Sequence, residues 1–345
     1  DPEVGHVLPR VRVEVDRLAA DGGGRRRREQ GAPHQAERLL REGWEARGLV
    51  RRTSDLSLLE GVGVDLVRGD LSDRAALARS AAGAAVVFHV AARASDWGPY
   101  DAFDRSNVAG TANVWTAARE AGVRRFVHVS SAAVHGFSGY RGRVESDPTP
   151  PSPFPYVETK RRAERLVLGE TGPEVVVLRP GNVYGPRDRV TSVHLLAALR
   201  SGWMGLLDGG RHLTCPTYIE NLVDAMLLAA TSPRAAGRVY LVTDGLEVTW
   251  REWMAELAAA LGVRGPRFSL PAGPARCLAA VLEVLYLAAG SSVPLPLTRY
   301  RVANASRDYH FAVDRARDEL GWEPRVGLRE GCCRTVEWFR AAGPA

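Results

Sequence analysis

The chain has 345 residues, enough for one large domain or for two unequal domains with a sizeable core. Its 45% hydrophobic and 25% charged residues are ordinary for a globular protein, which excludes a disordered or fibrous chain. The net charge of +6 comes from scattered arginines and not from a nucleic-acid-binding motif, so we expect a solvated basic surface and no nucleic-acid partner.

The cysteine pattern limits which cellular compartment and which metal sites are expected. The chain has four of them, Cys215, Cys277, Cys332 and Cys333, and none has the Cys-x-x-Cys spacing of a zinc site, so no metal is expected. No signal-peptide pattern opens the sequence. A reducing cytoplasm is the simplest compartment for such a chain.

Strands and helices are predicted to alternate along the first half of the chain. Short apolar runs predict strands, and longer amphipathic runs predict helices. The expected strands cover residues 46–51, 64–67, 86–90, 127–130 and 175–178, and the expected helices cover 71–82 and 101–121, with a further helix after the Pro-rich loop 147–155. This alternation implies parallel pairing and right-handed crossovers, which is a doubly wound α/β sheet of the Rossmann type.

The pattern loosens in the second half of the chain. Helices are predicted at 193–200, 219–230, 249–261 and 275–289, with short strands between them. We therefore expect a first domain over residues 1–190, built on the parallel sheet, and a smaller mixed α/β lobe over residues 191–345.

One lysine stands out. Of the 46 Lys plus Arg residues only Lys160 is a lysine, and it lies four residues after Tyr156. On a helix, side chains at i and i+4 share a face, so the ammonium would lie beside the phenol and favour its phenolate form. Arginine does not offer such a compact charge. A Tyr-x-x-x-Lys pair is common by chance, so its surroundings decide its meaning.

The flanking strand ends are informative. Ser130 and Ser131 close the strand before this helix, and Pro180-Gly181-Asn182 follows the apolar run after it. The carboxyl ends of parallel strands meet at one edge of a sheet, where ligands bind. Together these motifs resemble the extended short-chain dehydrogenases/reductases, of the NAD-dependent epimerase/dehydratase superfamily, from about residue 36 to residue 340.

The resemblance implies a catalytic set and two domain roles. Residues 131–136, Ser-Ala-Ala-Val-His-Gly, resemble the family's Ser/Thr-x-x-Val-Tyr-Gly, with His135 in place of the usual tyrosine. Ser131 would hold the substrate oxygen, Tyr156 would transfer a proton, and Lys160 would bind the nicotinamide ribose. Residues 1–190 would bind NAD(P), and the lobe 191–345 would bind the substrate.

The resemblance also implies the cofactor contacts. Arg51 lies where an acidic residue would select NAD and an arginine would accept the 2′-phosphate, so NADP(H) is the preferred cofactor and NAD(H) the alternative. A solvated arginine at a strand end is the rival interpretation. His89 is expected to be a packed core residue. The implied cofactor-binding residues are Arg51, Asp70, Leu71, Val90, Ala91, Ala92, Asn107, Tyr156, Lys160 and Pro180.

The N-terminal 35 residues depart from the family. A dinucleotide-binding sheet opens with a strand and a Gly-x-x-Gly-x-x-Gly turn at a helix N-terminus. Here residues 22–31 read Gly-Gly-Gly-Arg-Arg-Arg-Arg-Glu-Gln-Gly, and the family pattern resumes from Ala36. A rebuilt loop with arginines on the phosphates, a degenerate site and a frameshifted translation are the three explanations. The abrupt break favours the frameshift, which requires that another reading frame of the upstream DNA encodes the glycine turn.

The substrate class rests on fewer residues. Asn182 matches a residue that contacts nucleotide sugars in one branch of the family, but Thr214 stands where that branch tends to have a diphosphate-binding arginine. The run Thr-Tyr-Ile-Glu-Asn-Leu-Val at 217–223 is similar to 3β-hydroxysteroid dehydrogenases and sterol-4α-carboxylate 3-dehydrogenases.

These residues predict a dehydrogenase that interconverts a secondary alcohol and a ketone on a hydrophobic molecule, with Ser131 and Asn182 as substrate contacts. A nucleotide-sugar epimerase or dehydratase and a catalytically silent dinucleotide sensor are the alternatives. The apolar run 278–289, interrupted by Glu283, is too short to span a membrane and favours a buried helix or an interfacial patch. Peripheral membrane contact and a homodimer are both compatible with the sequence.

Overall fold

The structure is a computed structural model that describes residues 10–14, 32–54, 56–57, 59, 61–188, 191–289, 295 and 297–342. Its strands, in chain order, are β1 (Arg10–Glu14), β2 (Glu45–Val50), β3 (Asp65–Arg68), β4 (Val86–His89), β5 (Arg125–Val129), β6 (Tyr140–Arg143), β7 (Glu174–Pro180), β8 (Asn182–Tyr184), β9 (Gly205–Leu207), β10 (Leu213–Thr214), β11 (Pro216–Tyr218), β12 (Arg238–Val242), β13 (Val248–Thr249), β14 (Phe268–Leu270) and β15 (Tyr309–Phe311).

The α-helices are α1 (Ala32–Arg41), α2 (Arg74–Ala81), α3 (Tyr100–Phe103), α4 (Gly110–Glu120), α5 (Pro155–Gly169), α6 (Ser192–Arg200), α7 (Ile219–Thr231), α8 (Trp250–Leu261), α9 (Ala272–Ala288), α10 (Arg299–Ala305), α11 (Asp314–Leu320) and α12 (Leu328–Ala341). Three 3₁₀ turns lie at Ala132–His135, Asp208–Gly210 and Pro233–Ala235, and a π-helical segment spans Asp104–Ala109. None of the helices among the described residues is long and apolar enough to cross a membrane.

The centre of the fold is a seven-stranded parallel sheet with the order β12-β7-β5-β4-β1-β2-β3. All of its neighbouring strands pair in parallel. This confirms the predicted doubly wound α/β fold of the Rossmann type. The strand order reverses between β1 and β4, which makes this the switch point where open α/β sheets bind ligands.

The apolar runs of the central strands explain why both faces of the sheet are covered. Val86 and Phe88 of β4 belong to an apolar core that also contains residues of α1, α7, α8 and α12, while Val87 belongs to a second core with residues of α2 and α4. Side chains alternate between faces along a strand, so a run of large apolar residues requires helices on both sides.

The helix predicted over residues 101–121 is interrupted. It begins as α3, widens into the π-helical segment Asp104–Ala109 and continues as α4. Single π-helical turns are rare and often lie at functional sites. Here the segment carries Asn107, whose side chain is buried.

The C-terminal half returns to the sheet. Strand β12 pairs in parallel with β7, placing Leu241 opposite Arg179 and Val242 opposite Pro180. Residues after 242 add β13 and β14, which pair with the earlier strands β10 and β9, and helices α9 and α10. The division into 1–190 and 191–345 stays a prediction.

Candidate active site

Ser131 lies where β5 ends at the carboxyl edge of the sheet. It has extended backbone and caps the 3₁₀ turn Ala132–His135, its Oγ accepting a hydrogen bond of 3.2 Å from the Ala133 amide. That acceptor role leaves the hydroxyl proton of Ser131 available for a ligand oxygen. The neighbouring Ser130 is buried and donates to Glu164 at 2.7 Å, so the two serines have different partners.

Tyr156 and Lys160 share one face of α5, as the spacing predicts. Pro155 begins this helix at its first turn, a position where the missing amide proton of proline costs nothing. Lys160 is only 3% exposed, and its Nζ donates to the Val129 carbonyl at 2.6 Å. This bond ties α5 to the end of β5, so Tyr156, Lys160 and Ser131 lie at the same edge of the sheet.

Two buried histidines pack together, and one of them, His128, lies near Lys160. The His89 and His128 rings have centroids 5.4 Å apart, and His89 bonds to Thr111 at 2.8 Å, so His89 is a core residue as predicted. Burial lowers the pKa of His128 well below its usual value, and the charge of Lys160 adds to this effect. His128 therefore stays neutral and adds no charge beneath the lysine.

Asn107 joins the loop after β4 to α5. Its Oδ1 accepts from the Arg93 amide at 2.7 Å, and its Nδ2 donates to Thr159 Oγ1 at 3.0 Å. Thr159 also donates to the Pro155 carbonyl at 2.7 Å. The π-helical turn thus aims a buried amide at both neighbours, and Asn107 positions other groups of the site.

Three of the predicted cofactor-binding residues, Arg51, Asp70 and Leu71, lie together at the far side of the switch point. β2 and β3 pair with Val50 opposite Arg68, so Arg51 and Asp70 follow neighbouring strand ends. Asp70 accepts hydrogen bonds from the Ser72 hydroxyl and amide at 2.6 and 2.7 Å. These bonds lower the pKa of Asp70, and the charge of Arg51 lowers it further by a smaller amount. Leu71 is buried and packs against Gly110.

Small residues line the sheet edge between the Tyr156–Lys160 pair and the Arg51–Asp70 pair. Ala91 and Ala92 are buried after β4, next to the half-buried Val90. After β7, a Cβ atom at Gly181 would lie 2.1 Å from the Cys215 carbonyl oxygen, so only glycine fits there. The Gly181 amide donates to Thr217 Oγ1 at 3.0 Å and is therefore engaged within the protein. The cofactor-binding role of Pro180 stays a prediction.

Asn182 and Thr214, which sequence analysis weighed against each other, are in direct contact. Asn182 Nδ2 donates to Thr214 Oγ1 at 3.0 Å, and its Oδ1 accepts from Asn304 of α10 at 3.3 Å. The amide is half-buried, whereas Thr214 is 1% exposed. Both polar ends of Asn182 therefore have protein partners.

An aromatic wall beside Tyr156, which the sequence did not predict, is formed by Phe137, Phe154 and Tyr300. The Tyr300 ring lies 6.2 Å from the Tyr156 ring, 5.2 Å from Phe137 and 5.6 Å from Phe154, all edge to face. All three residues are half-buried. Burial raises the pKa of Tyr300 well above that of an ordinary tyrosine, so its phenol stays neutral.

The aromatic wall comes from distant parts of the chain. Tyr300 lies on α10, which is capped by Thr298 accepting from the Arg301 amide at 3.1 Å. Thr298 also donates to Asp96, in the loop after β4, at 3.1 Å. The Thr298 cap is a local signal for a helix at 299–305, but no local pattern indicates that Tyr300 reaches Tyr156.

A buried ionic network, also missed, underlies the site. Arg179 of β7 pairs with Glu164 of α5 and donates to the Glu145 carbonyl at 3.0 Å. Arg179 also bonds His135 Nε2 at 3.0 Å, and burial together with this guanidinium lowers the pKa of His135 to about 4. A neutral His135 can accept from arginine, which explains how histidine is tolerated at this position.

Replacing Arg179 with leucine should destabilise the protein by about 3–5 kcal/mol, because it leaves the Glu164 carboxylate buried without its partner. Both side chains of the pair are 6% exposed. The matched control is Arg162→Leu, which removes an exposed arginine paired with Asp104 and should cost less than about 1 kcal/mol. Urea unfolding measures the free energy of unfolding of both variants. Equal losses would show that the buried pair contributes no more to stability than the exposed pair.

The described residues fit a nicotinamide dinucleotide. A buried ammonium stands at the nicotinamide end, small residues line the sheet edge, and a cation with a carboxylate stands at the adenosine end. Residues 15–31, which include the arginine-rich stretch at the expected phosphate turn, lie outside the described residues. Strand β1 is nevertheless present, and it pairs with β4 on one side and β2 on the other, inside the sheet.

Comparisons with known proteins agree with this geometry. The family model of the NAD dependent epimerase/dehydratase family matches residues 32–243. A 4-hydroxy-2-methyl-3-oxo-4-farnesyl-3,4-dihydroquinoline-1-oxide ketoreductase of Stigmatella aurantiaca is 35% identical over 311 residues, which are 89% of this chain and 92% of the relative. The 3beta-hydroxysteroid-dehydrogenase/decarboxylase isoform 1 of Arabidopsis thaliana is 32% identical over 295 residues, 80% of this chain and 67% of the relative.

A solved structure extends the similarity to the whole fold. The crystal structure of gox2253 is 28% identical, with a TM-score of 0.77, and the match covers 98% of this chain and 99% of that one. The parallel sheet, the Tyr156–Lys160 pair on α5 and the family match lead to one conclusion. The chain belongs to the NAD-dependent epimerase/dehydratase family of extended short-chain dehydrogenases/reductases.

Proposed function

We propose that this protein is a nicotinamide-dependent oxidoreductase that interconverts a secondary alcohol and a ketone on a hydrophobic, steroid-like or long-chain substrate. The observation that carries the proposal is the aromatic wall of Phe137, Phe154 and Tyr300 beside Tyr156. A partly exposed aromatic surface next to a proton-transferring phenol suits an apolar molecule with one polar oxygen. The ketoreductase relative, whose name includes a farnesyl quinoline, supports this class.

Each catalytic residue has one task in this proposal. The bound cofactor supplies or accepts the hydride. Ser131 donates a hydrogen bond to the substrate oxygen, and Tyr156 gives that oxygen a proton when a ketone is reduced, or takes the proton when an alcohol is oxidised. Lys160, held by the Val129 carbonyl, places a positive charge one helical turn from Tyr156 and favours the phenolate that results.

The contacts of Asn182 favour this function over nucleotide-sugar chemistry. Burying an unpaired diphosphate is costly, so a diphosphate site needs cationic or backbone donors. Thr214 supplies no charge, and its hydroxyl is bonded to Asn182. Asn182 in turn is bonded to Asn304, so a ligand would have to compete with contacts within the protein.

Calorimetry with two ligand sets tests the function. We expect saturable binding of sterol-like or long-chain hydroxy and keto compounds, and weak or no binding of UDP- and dTDP-sugars. Tyr300→Ala should weaken hydrophobic ligands by roughly tenfold or more, because it removes a large aromatic contact surface. Phe268→Ala, at an exposed phenylalanine of β14, is the matched control and should leave the binding of both ligand sets unchanged. Micromolar binding of a nucleotide sugar without any lipid response would instead assign the epimerase or dehydratase function.

We further propose a preference for NADP(H), carried by Arg51. If Arg51 pairs with the 2′-phosphate, Arg51→Asp should raise the Kd for NADPH by roughly 10–100-fold, the effect of losing a hydrogen bond to a charged group. The Kd for NADH should change far less. Arg52→Asp, at the exposed arginine next in the chain, controls for net charge. Equal losses of both cofactors in Arg51→Asp would show that Arg51 is only structural.

A further inference from the structure

Helix α9 exposes an apolar face to solvent. Of the large apolar side chains that are exposed in the described residues, four come from this helix: Leu278, Val281, Val284 and Leu285, at 49%, 56%, 65% and 58% exposure. Spacings of three and four residues place them on one side of the helix. A surface helix normally shows polar residues there, and a cluster of exposed apolar side chains marks an interaction site.

The opposite face of α9 is already occupied. Ala275 and Ala279 are fully buried and pack with Val302 of α10. The exposed face is therefore not the inner side of a displaced helix. It is a second apolar surface, on the side of α9 opposite the face that packs on α10.

The charged residues nearest to this face in the sequence are arginines, apart from Glu283. Arg267, just before β14, and Arg276 of α9 are exposed. The one acidic residue of α9, Glu283, is 6% exposed and accepts from the Arg299 amide at 2.8 Å, so it is turned inward. Exposed apolar side chains on a segment that also exposes arginines, and on a helix without an exposed carboxylate, match an anionic lipid surface.

The face lies close to the catalytic site. α9 packs against α10, and α10 carries Tyr300 of the aromatic wall. Packed helices have axes about 8–10 Å apart, so one helix layer separates the exposed face from the wall beside Tyr156. A surface that holds α9 would thus hold α10 and Tyr300 near it.

We propose that the outer face of α9 docks on an anionic lipid bilayer, with Leu278, Val281, Val284 and Leu285 at the boundary of headgroups and acyl chains. A second copy of the chain is the weaker candidate, because four half-exposed side chains present roughly 300–400 Å², against the ~800 Å² per partner of a stable interface. The docking itself is independent of the proposed function; its use, the uptake of hydrophobic substrate from the bilayer, rests on that function.

Vesicle co-sedimentation of the full chain tests the docking without any substrate. The probes are phosphatidylcholine vesicles with and without about 30% phosphatidylglycerol. We expect binding to the anionic vesicles that weakens with salt. The double variant Val284→Asp/Leu285→Asp should lower the partition coefficient by at least about tenfold, because it removes two inserted side chains and adds charge. Leu168→Asp, at an exposed leucine of α5, is the control and should bind like the wild type.

Three outcomes would overturn the proposal: no binding to either vesicle, equal loss of binding in the Leu168 control, or a dimer in light scattering that the double variant dissolves. The last result would assign the face to a second copy of the chain. Because the assay contains no substrate or cofactor, its failure leaves the proposed oxidoreductase function untouched, and an inactive enzyme that still binds vesicles would refute only that function.

Discussion

Replacing Tyr156 with phenylalanine is expected to lower turnover by about 10²–10⁴-fold, the usual contribution of a general acid–base group. The substitution removes only the hydroxyl, so the edge-to-face contact with Tyr300 remains and the aromatic wall keeps its shape. Steady-state kinetics with a bound hydrophobic ketone and NADPH measures the effect. The loss should fall on kcat, while the Kd values of cofactor and ketone stay within a few-fold of wild type, because the missing group acts in the transition state.

Tyr240→Phe is the matched control for this experiment. It also removes one tyrosine hydroxyl, in this case one that donates to Glu319 at 2.9 Å between β12 and α11. Its kcat should equal that of the wild type. Near-normal turnover in Tyr156→Phe would remove Tyr156 from the mechanism.

Lys160→Arg should also be severely impaired, by at least about 10²-fold in kcat/KM, although it keeps the positive charge. Lys160 is 3% exposed and its Nζ lies 2.6 Å from the Val129 carbonyl oxygen, so the pocket fits a compact ammonium. A planar guanidinium is larger and would push α5 away from the end of β5. Cofactor binding by calorimetry and turnover measure the two consequences separately.

Lys160→Met separates the charge from the shape. Methionine fills similar space without a charge. We expect kcat/KM of this variant to fall as well, since the phenolate of Tyr156 loses its neighbouring cation. If the arginine variant turned over like the wild type while the methionine variant failed, charge alone would account for Lys160 and its compact shape would be irrelevant.

The parallel sheet could be predicted because its strands are locally obvious. Val86–His89 and Glu174–Pro180 contain apolar runs that only a strand covered on both faces can bury. The π-helical turn at Asp104–Ala109 could not be predicted, and its Asn107 bonds to Arg93 and Thr159, which are distant in sequence. Local propensity carries no information about such contacts.

In the candidate site, too, local motifs were predictable and contacts between distant residues were not. Tyr156 and Lys160 were predictable because one helix fixes their spacing, and Ser131 because it follows a strand end. Tyr300 was not, because 144 positions separate it from Tyr156 and only the packing of α10 brings the two rings together. The Glu164–Arg179 pair was missed for a similar reason: it joins a helix to a strand, and neither residue shows a local motif.

The return of β12 to the sheet limits how this protein can be cut or recombined. A fragment ending at residue 190 would leave β7 as an open edge strand, with unpaired backbone groups that favour aggregation. It would also lose α7, which covers part of one face of the sheet. A chimera that exchanges substrate specificity with a relative should therefore retain residues 219–242 with the sheet, and exchange α9 and α10 together, because Glu283 and Arg299 join them.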